Sequence, residues 1–261
     1  MDFKHKVVAI TGAAGGIGQA MCAHFGSLGA SIAALDKNDA VKTLPKKLAA
    51  DNVRATAVVV DIADPERVRA GFAELAVALG PVDVLINNAG FSKHCTLELS
   101  SPASWRGDIE GNLNGAYYCA HAVLPAMKER RAGAILNIGS VNGLYALGDP
   151  AYSAAKAAMI NFTKALAMEY GRFDIRANII LPGTVRTPLW EERASRNPKV
   201  LEELVRWYPL GRIVEPLDVA RVAAFLCSDA AAAITGAVLP VDCGLTAGNI
   251  VMARELTVEP F

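Results

Sequence analysis

Seven short apolar runs recur along the chain, at 7–10, 31–35, 55–60, 82–86, 134–138, 177–181 and 237–241. None alternates apolar with polar residues as a half-buried strand does, so they read as parallel strands covered on both faces. Parallel strands need a crossover element between them, and the intervening stretches supply one. Ile17, Met21, Phe25 and Leu28 repeat at helical spacing, with Gly29 as a stop signal. Asp64-Pro65-Glu66 reads as an N-cap, a first-turn proline and a first-turn acid opening another helix. Strand and helix alternating about seven times predict an α/β fold, a doubly wound parallel sheet with helices on both faces. No break in composition and no longer repeat divides the sequence, so residues 1–261 are expected to form a single domain.

Three stretches depart from the regular pattern. Residues 102–130 read as one long helix, yet Gly111, Gly115 and Pro125 lie inside it, which predicts a kink near Asn112. Residues 188–215 are less regular and carry large side chains, so they are expected to act as a lid. The tail 248–261 holds Val251, Met252, Leu256, Val258 and Phe261, apolar enough to dock, with a neighbouring subunit's pocket as the expected place.

Composition narrows the partners. A hydrophobic fraction of 52% with 20% charged residues can bury a large core. Twenty-six basic residues balance twenty-six acidic ones, so no net field draws the chain to nucleic acid or an anionic membrane, and a small molecule is the expected partner. The apolar run after Lys6 stops at Thr11-Gly12, too short for an export signal, and no apolar run is long enough for a spanning helix. Five cysteines (22, 95, 119, 227, 243) lie far apart, an odd count that suits reduced thiols in the cytoplasm. The four histidines form no ligand cluster, so no metal site is expected.

Directly after the first strand comes Thr11-Gly12-Ala13-Ala14-Gly15-Gly16-Ile17-Gly18, opening into the first helix. Glycines there let the backbone turn sharply and approach a pyrophosphate, while the helix N-terminus offers free N–H groups and a positive dipole end. A glycine cluster alone also fits a plain strand-to-helix turn. Asp36, eighteen residues past Gly18 at the end of the second strand, adds a carboxylate placed to accept hydrogen bonds from an adenosine ribose and to repel the extra phosphate of NADP. NAD is therefore the expected coenzyme. Lys37 keeps NADP as the less favoured candidate, since a neighbouring cation attracts a 2′-phosphate.

The second constellation is Tyr152-Ser153-Ala154-Ala155-Lys156, beginning a helix whose i,i+4 spacing puts Tyr152 and Lys156 on one face. A free phenol has a pKa of about 10, and a nearby cation stabilises the phenolate, so Lys156 is expected to pull Tyr152 toward working pH. Ser140 ends the fifth strand twelve residues earlier, at the sheet edge where parallel folds present ligand-binding groups.

With Asn87-Asn88-Ala89-Gly90 after the fourth strand, the T-G-x-x-x-G-x-G and Y-x-x-x-K motifs resemble those of the short-chain dehydrogenase/reductase family, over roughly residues 5 to 247. The resemblance implies an NAD(H)-dependent oxidoreductase that interconverts a secondary alcohol and its carbonyl. It implies cofactor contacts from Gly12, Gly15, Gly16, Ile17, Gly18 and Asp36, from Asp61 and Ile62, and from Asn88, Ala89 and Gly90. Tyr152, Lys156, Pro182, Gly183, Val185 and Thr187 join them, the last two at the nicotinamide carboxamide. In the catalytic set it implies, Ser140 bonds the substrate oxygen, Tyr152 moves the proton, and Lys156 holds the nicotinamide ribose. Asn112 is placed with them as the holder of a relay water, with Asn114 as the competing position. It further implies a homo-oligomer, tetramer or dimer, packed through the helices of 102–130 and 151–171. The Ser140–Tyr152 interval is one residue shorter than in many relatives, which bears on the loop between them.

For the substrate, the loops at 91–98, 141–150 and 188–210 offer His94, Asn142, Tyr145, Trp190, Arg193 and Arg196 beside Ser140. The polar members suit a polyol, sugar or hydroxy acid, and the arginines either clamp an anion or stand solvated on the lid. Two other readings stay open: an NADPH-dependent ketone or 3-oxoacyl-thioester reductase using the same residues in reverse, and a non-catalytic dinucleotide sensor. A sensor predicts a broken catalytic set. Nucleotide-sugar epimerases usually have a longer chain with a separate substrate region.

Overall fold

A computed structural model of the protein describes residues 1–188, 190, 192, 195, 197 and 199–257. Its seven strands are β1 Val7–Thr11, β2 Ser31–Asp36, β3 Ala55–Val59, β4 Val84–Asn87, β5 Gly133–Ile138, β6 Ile175–Pro182 and β7 Val238–Val241. They form one sheet in the order β3-β2-β1-β4-β5-β6-β7, every neighbouring pair parallel. Successive residues of β1 explain the unbroken apolar runs. Val8 and Ile10 enter the core under α1 (Gly16–Ser27) and the late helix Pro216–Cys227, with Met21, Phe25 and Val219. Val7 and Ala9 enter the opposite core, under α3 (Pro65–Leu79) and Gly115–Arg130, with Phe72, Leu75 and Met127. A strand with a core on each side has no solvent face to make polar. A small helix, α2 (Leu44–Ala49), lies between β2 and β3. The exception is β7, an edge strand whose Leu239 and Pro240 are exposed, so the run at 237–241 is not covered on both faces by the described residues.

The chain order reverses at β1, which pairs with β2 on one side and β4 on the other. Loops leaving the two strands diverge there and open a crevice at their carboxyl ends, the place where open α/β sheets receive ligands.

The long helix expected at 102–130 is two helices, α4 (Pro102–Ile109) and α5 (Gly115–Arg130), joined by a π-helical turn at Glu110–Asn114. The Asn112 carboxamide donates to the carbonyl of Asp108, 2.8 Å away. A side chain inserted into the helical ladder in this way is a recognised cause of bending. Pro125, in contrast, lies within α5.

Further helices are α6 (Pro150–Tyr170), α7 (Val200–Val205), α8 (Pro216–Cys227) and α9 (Ile250–Leu256). Asp64 caps α3 by accepting from the N–H groups of Glu66 and Arg67, both at 3.0 Å. In the tail, Met252 and Leu256 are exposed on α9, whereas Val258 and Phe261 lie outside the described residues. Among the described residues no helix is long and apolar enough to cross a membrane.

Candidate active site

The turn from β1 into α1 is built so that backbone, not side chains, faces the crevice. Gly12 has φ of +64°, and a Cβ there would lie 2.8 Å from the Ala89 Cα. A Cβ on Gly18 would collide with the Gly12 carbonyl, and one on Gly16 would press on Thr187 and Pro188. Gly15 caps α1 without any side-chain hydrogen bond, so no capping side chain occupies the helix entrance.

Opposite this loop, Asn88 ties the end of β4 to it. Its carboxamide donates to the carbonyls of Thr11 (2.9 Å) and Gly12 (3.1 Å), while the N–H groups of Asn88 and Ala89 both donate to the Thr11 hydroxyl at 3.0 Å. Asp36 accepts from the N–H of Ala14 and of Asn38, each at 2.9 Å, which fixes its carboxylate at the crevice wall with lone pairs to spare. Asp61 closes a short turn by accepting from Ala63 N–H.

These groups enclose a cavity of about 440 Å³. Its lining brings together Gly12, Gly15, Gly16, Ile17, Gly18, Asp36, Asp61, Ile62, Asn88, Ala89, Gly90 and Thr187, as grouped from the sequence. Lys37 and Phe91 line it too. The Lys37 ammonium sits 4.5 Å from the Phe91 ring centroid and that of Lys93 at 5.8 Å, so the ring carries two cations at the cavity edge.

A second cavity of about 840 Å³ adjoins the first, sharing Ile17, Asn88, Gly90, Phe91 and Thr187. It is lined by Ser140, Asn142, Tyr152, Lys156, Pro182, Gly183, Val185 and Trp190. Val185 borders it although its side chain is buried in the core, where the residue pairs with Val214.

Ser140 follows β5, and its hydroxyl lies near enough to Tyr152 from α6 to favour the phenolate. One turn further along α6, Lys156 is 2% exposed and donates to the Ile138 carbonyl at 2.9 Å, with its ammonium 5.4 Å from the centroid of the Tyr152 ring. Burial pulls Lys156 down from 10.5 to about 8. Burial also raises the Tyr152 phenol above its ordinary value; the Ser140 hydroxyl opposes this and the Asp149 charge reinforces it. The expectation that Lys156 draws the phenol down is therefore not met by the protein's own groups. Desolvation outweighs the serine hydroxyl, and the lysine is engaged at a main-chain carbonyl over the ring.

Asn112 is buried beneath this pair. Its carboxamide donates to Phe91 O (2.7 Å) and Asp108 O (2.8 Å) and accepts from Phe91 N–H (3.2 Å). Gly90 passes so closely that a Cβ there would sit 2.8 Å from the Asn112 Oδ1 and 3.1 Å from the Lys156 Nζ. Asn114 instead donates to the Glu110 carboxylate at 2.7 Å.

Two residues assigned to the substrate region line neither cavity. Asp149 fastens the loop after β4 by donating its N–H to the Cys95 carbonyl and accepting from the Ser92 hydroxyl at 2.6 Å. Ser92 and Cys95 thereby line the larger cavity, and His94 does not. Tyr145 is exposed, its hydroxyl 3.4 Å from the Thr246 carbonyl, and the wall at that loop comes from Val141, Asn142 and Leu147. Arg193 and Arg196 lie outside the described residues. Phe91, Cys95, Asp149, Trp207, Tyr208 and Leu245 line the cavity without having been singled out for it, because no local pattern says which side chains of a loop turn inward.

Among the described residues no group of three or more His, Cys, Asp or Glu could hold a metal ion. All five cysteines are free, and burial pushes Cys22, Cys119 and Cys227 up to about 12, leaving them as packing groups.

Residues 12–246 match the sequence family described as enoyl-(acyl carrier protein) reductase. An uncharacterized oxidoreductase of Schizosaccharomyces pombe is 43% identical over 260 residues, covering 99% of this chain and 98% of that one. The crystal structure of an oxidoreductase from Burkholderia thailandensis, assigned to the short-chain dehydrogenase/reductase family, shares 50% identity with a TM-score of 0.92 and covers 98% of each chain. A 3-oxoacyl-[acyl-carrier protein] reductase with bound NAD from Brucella melitensis is 33% identical with a TM-score of 0.85, over 93% of this chain and 91% of the other.

Proposed function

Because this chain belongs to the short-chain dehydrogenase/reductase family of oxidoreductases, which bind a nicotinamide dinucleotide and act on CH–OH groups, we propose that it uses NAD(H) to interconvert a secondary alcohol and its carbonyl. The observation that carries this reading is the Ser140–Tyr152–Lys156 cluster in the larger cavity, where it adjoins the glycine-loop cavity.

The glycine loop and the start of α1 fit a pyrophosphate, since Gly12 takes a positive φ, Gly18 packs on the Gly12 carbonyl to keep the turn tight, and no capping side chain covers the helix entrance. Asp36 would accept from the adenosine ribose hydroxyls and disfavour a 2′-phosphate, which supports NAD over NADP. Asp61, Ile62 and Asn88–Gly90 would line the adenosine, and the 182–187 segment with Lys156 the nicotinamide end. When bound, the nicotinamide supplies the acceptor or donor of the hydride.

Ser140 holds the substrate oxygen by hydrogen bonding, and Tyr152 exchanges a proton with that oxygen. A phenol kept protonated by burial is a ready donor to a carbonyl oxygen at neutral pH, and in the oxidation direction it must first lose its proton. Lys156, with its ammonium beside the Tyr152 ring, would hold the nicotinamide ribose and position Tyr152. Both donors of the Asn112 carboxamide are engaged, so a relay water would be held by its main chain or its remaining acceptor lone pair.

Tyr152→Phe tests the assignment. Turnover is expected to fall at least about 100-fold, with coenzyme affinity, read by fluorescence titration, within about threefold of wild type. Near wild-type turnover refutes the proton-transfer role, and a clear preference for NADP refutes the reading of Asp36.

The relationship to 3-oxoacyl-[acyl-carrier protein] reductases supports a second reading, reduction of an acyl-thioester ketone by the same residues. Oxidation of NADH or NADPH with an acetoacetyl thioester tests it. Assembly as a homotetramer or dimer belongs to the proposal, supported by exposed Tyr117 and Met168 on α5 and α6, and light scattering measures it. So does a cytoplasmic location, which the five free cysteines suit.

A further inference from the structure

Apart from the reactive cluster, large apolar and aromatic side chains wall the 840 Å³ cavity. Leu147 comes from the loop after β5, Trp190, Leu204 and Trp207 from the segment after β6, and Leu245 from beyond β7. Three polar side chains on the same wall are engaged by the protein. The Tyr208 hydroxyl accepts from Thr184 N–H at 3.0 Å, and the Ser92 hydroxyl donates to Asp149 at 2.6 Å. The Asn142 carboxamide donates to Ser153 at 3.3 Å and accepts from Ser140 at 3.2 Å. Among the described lining residues only Lys156 and Asp149 carry charge, and Lys156 is buried against a carbonyl while Asp149 repels anions.

Resting on the alcohol–carbonyl reading, we propose that the substrate is a neutral secondary alcohol or ketone with a bulky apolar body, alkyl or aryl, and not a polyol, sugar or hydroxy acid. A polyol entering this cavity meets a wall on which the Ser92 and Asn142 groups already have protein partners, so its hydroxyls give up water for few new hydrogen bonds. A carboxylate meets Asp149. An alkyl or aryl group, by contrast, gains from every methylene it buries against the tryptophans and leucines.

The test is steady-state kinetics of the full chain with NAD⁺ and NADP⁺. The substrates are 2-butanol through 2-octanol and 1-phenylethanol, set against sorbitol and 3-hydroxybutyrate. The inference predicts kcat/KM rising about two- to fourfold per methylene. Sorbitol and 3-hydroxybutyrate should fall at least about tenfold below 2-octanol. Trp207→Ala and Leu245→Asn are each expected to flatten the chain-length slope, and two variants on different segments guard against one failing to fold. A flat or falling series, or a polyol or hydroxy acid above 2-octanol, overturns the inference and leaves the oxidoreductase reading intact. Should nothing turn over, calorimetric titration with 2-octanone and sorbitol decides. Binding of the ketone alone sinks the catalytic reading and keeps the inference; binding of sorbitol alone, or of neither, sinks the inference.

Discussion

Lys156 holds its charge in a place where a charge is expensive, and that leaves a measurable mark on stability. Its ammonium is 2% exposed and its pKa falls from 10.5 to about 8. For a base lowered in the folded state, the unfolded chain binds more protons between those two values, so stability rises as pH climbs from about 8 to 10.5. Below pH 8 both states are protonated and the full cost is present. The fall from 10.5 to about 8 corresponds to about 3 kcal/mol. Lys156→Met removes the titration while nearly keeping the volume. The Ile138 carbonyl then loses its donor, but that loss does not vary with pH. The comparison is best made in a Tyr152→Phe background, which removes the neighbouring phenol's own titration. Urea unfolding at fixed protein concentration, every half unit from pH 7 to 10.5, gives the stability of each protein. Relative to the Lys156→Met variant, the protein that keeps Lys156 should gain about 3 kcal/mol across that range. A difference flat to within about 0.5 kcal/mol would refute the claim that this lysine is buried as a desolvated cation.

Other consequences are as direct. With burial holding the Tyr152 phenol protonated, carbonyl reduction should be flat between about pH 6 and 8 while alcohol oxidation climbs with pH, as initial rates in both directions will record. Phe91→Leu removes the ring that holds Lys37, so the NADP to NAD ratio of kcat/KM should rise about two- to fivefold. Adding Lys37→Ala to that variant should abolish the rise; an unchanged ratio in the single variant would show that the ring does not restrain the lysine. Asn112→Ala leaves Phe91 N–H and the carbonyls of Phe91 and Asp108 without partners, and denaturant titration should show a loss of about 2–4 kcal/mol.

Much of the architecture was legible in the sequence because burial on two faces removes the polar residues that alternation requires. The runs at 7–10 and 31–35 became central strands of a parallel sheet. The signal is ambiguous only at the edges, where β7 carries an apolar sequence and yet has Leu239 exposed. The interruption at Asn112 was signalled by Gly111, Gly115 and Pro125, though the π-helical turn comes from the asparagine's own bonds and Pro125 sits inside α5.

Motifs that work through backbone geometry or fixed helical spacing belong to the sequence alone. A glycine at position 18 is dictated by the Gly12 carbonyl a few residues away, and Tyr152 and Lys156 share a face by the helical repeat. Only the tertiary structure decided what surrounds them. Lys156 donates to a carbonyl on β5, Tyr152 is buried enough that its pKa rises instead of falling, and Cys95 faces the cavity where His94 does not. These outcomes depend on desolvation and on which side chains of separate loops converge. Such quantities are set by residues far apart in the chain, and no local pattern carries them.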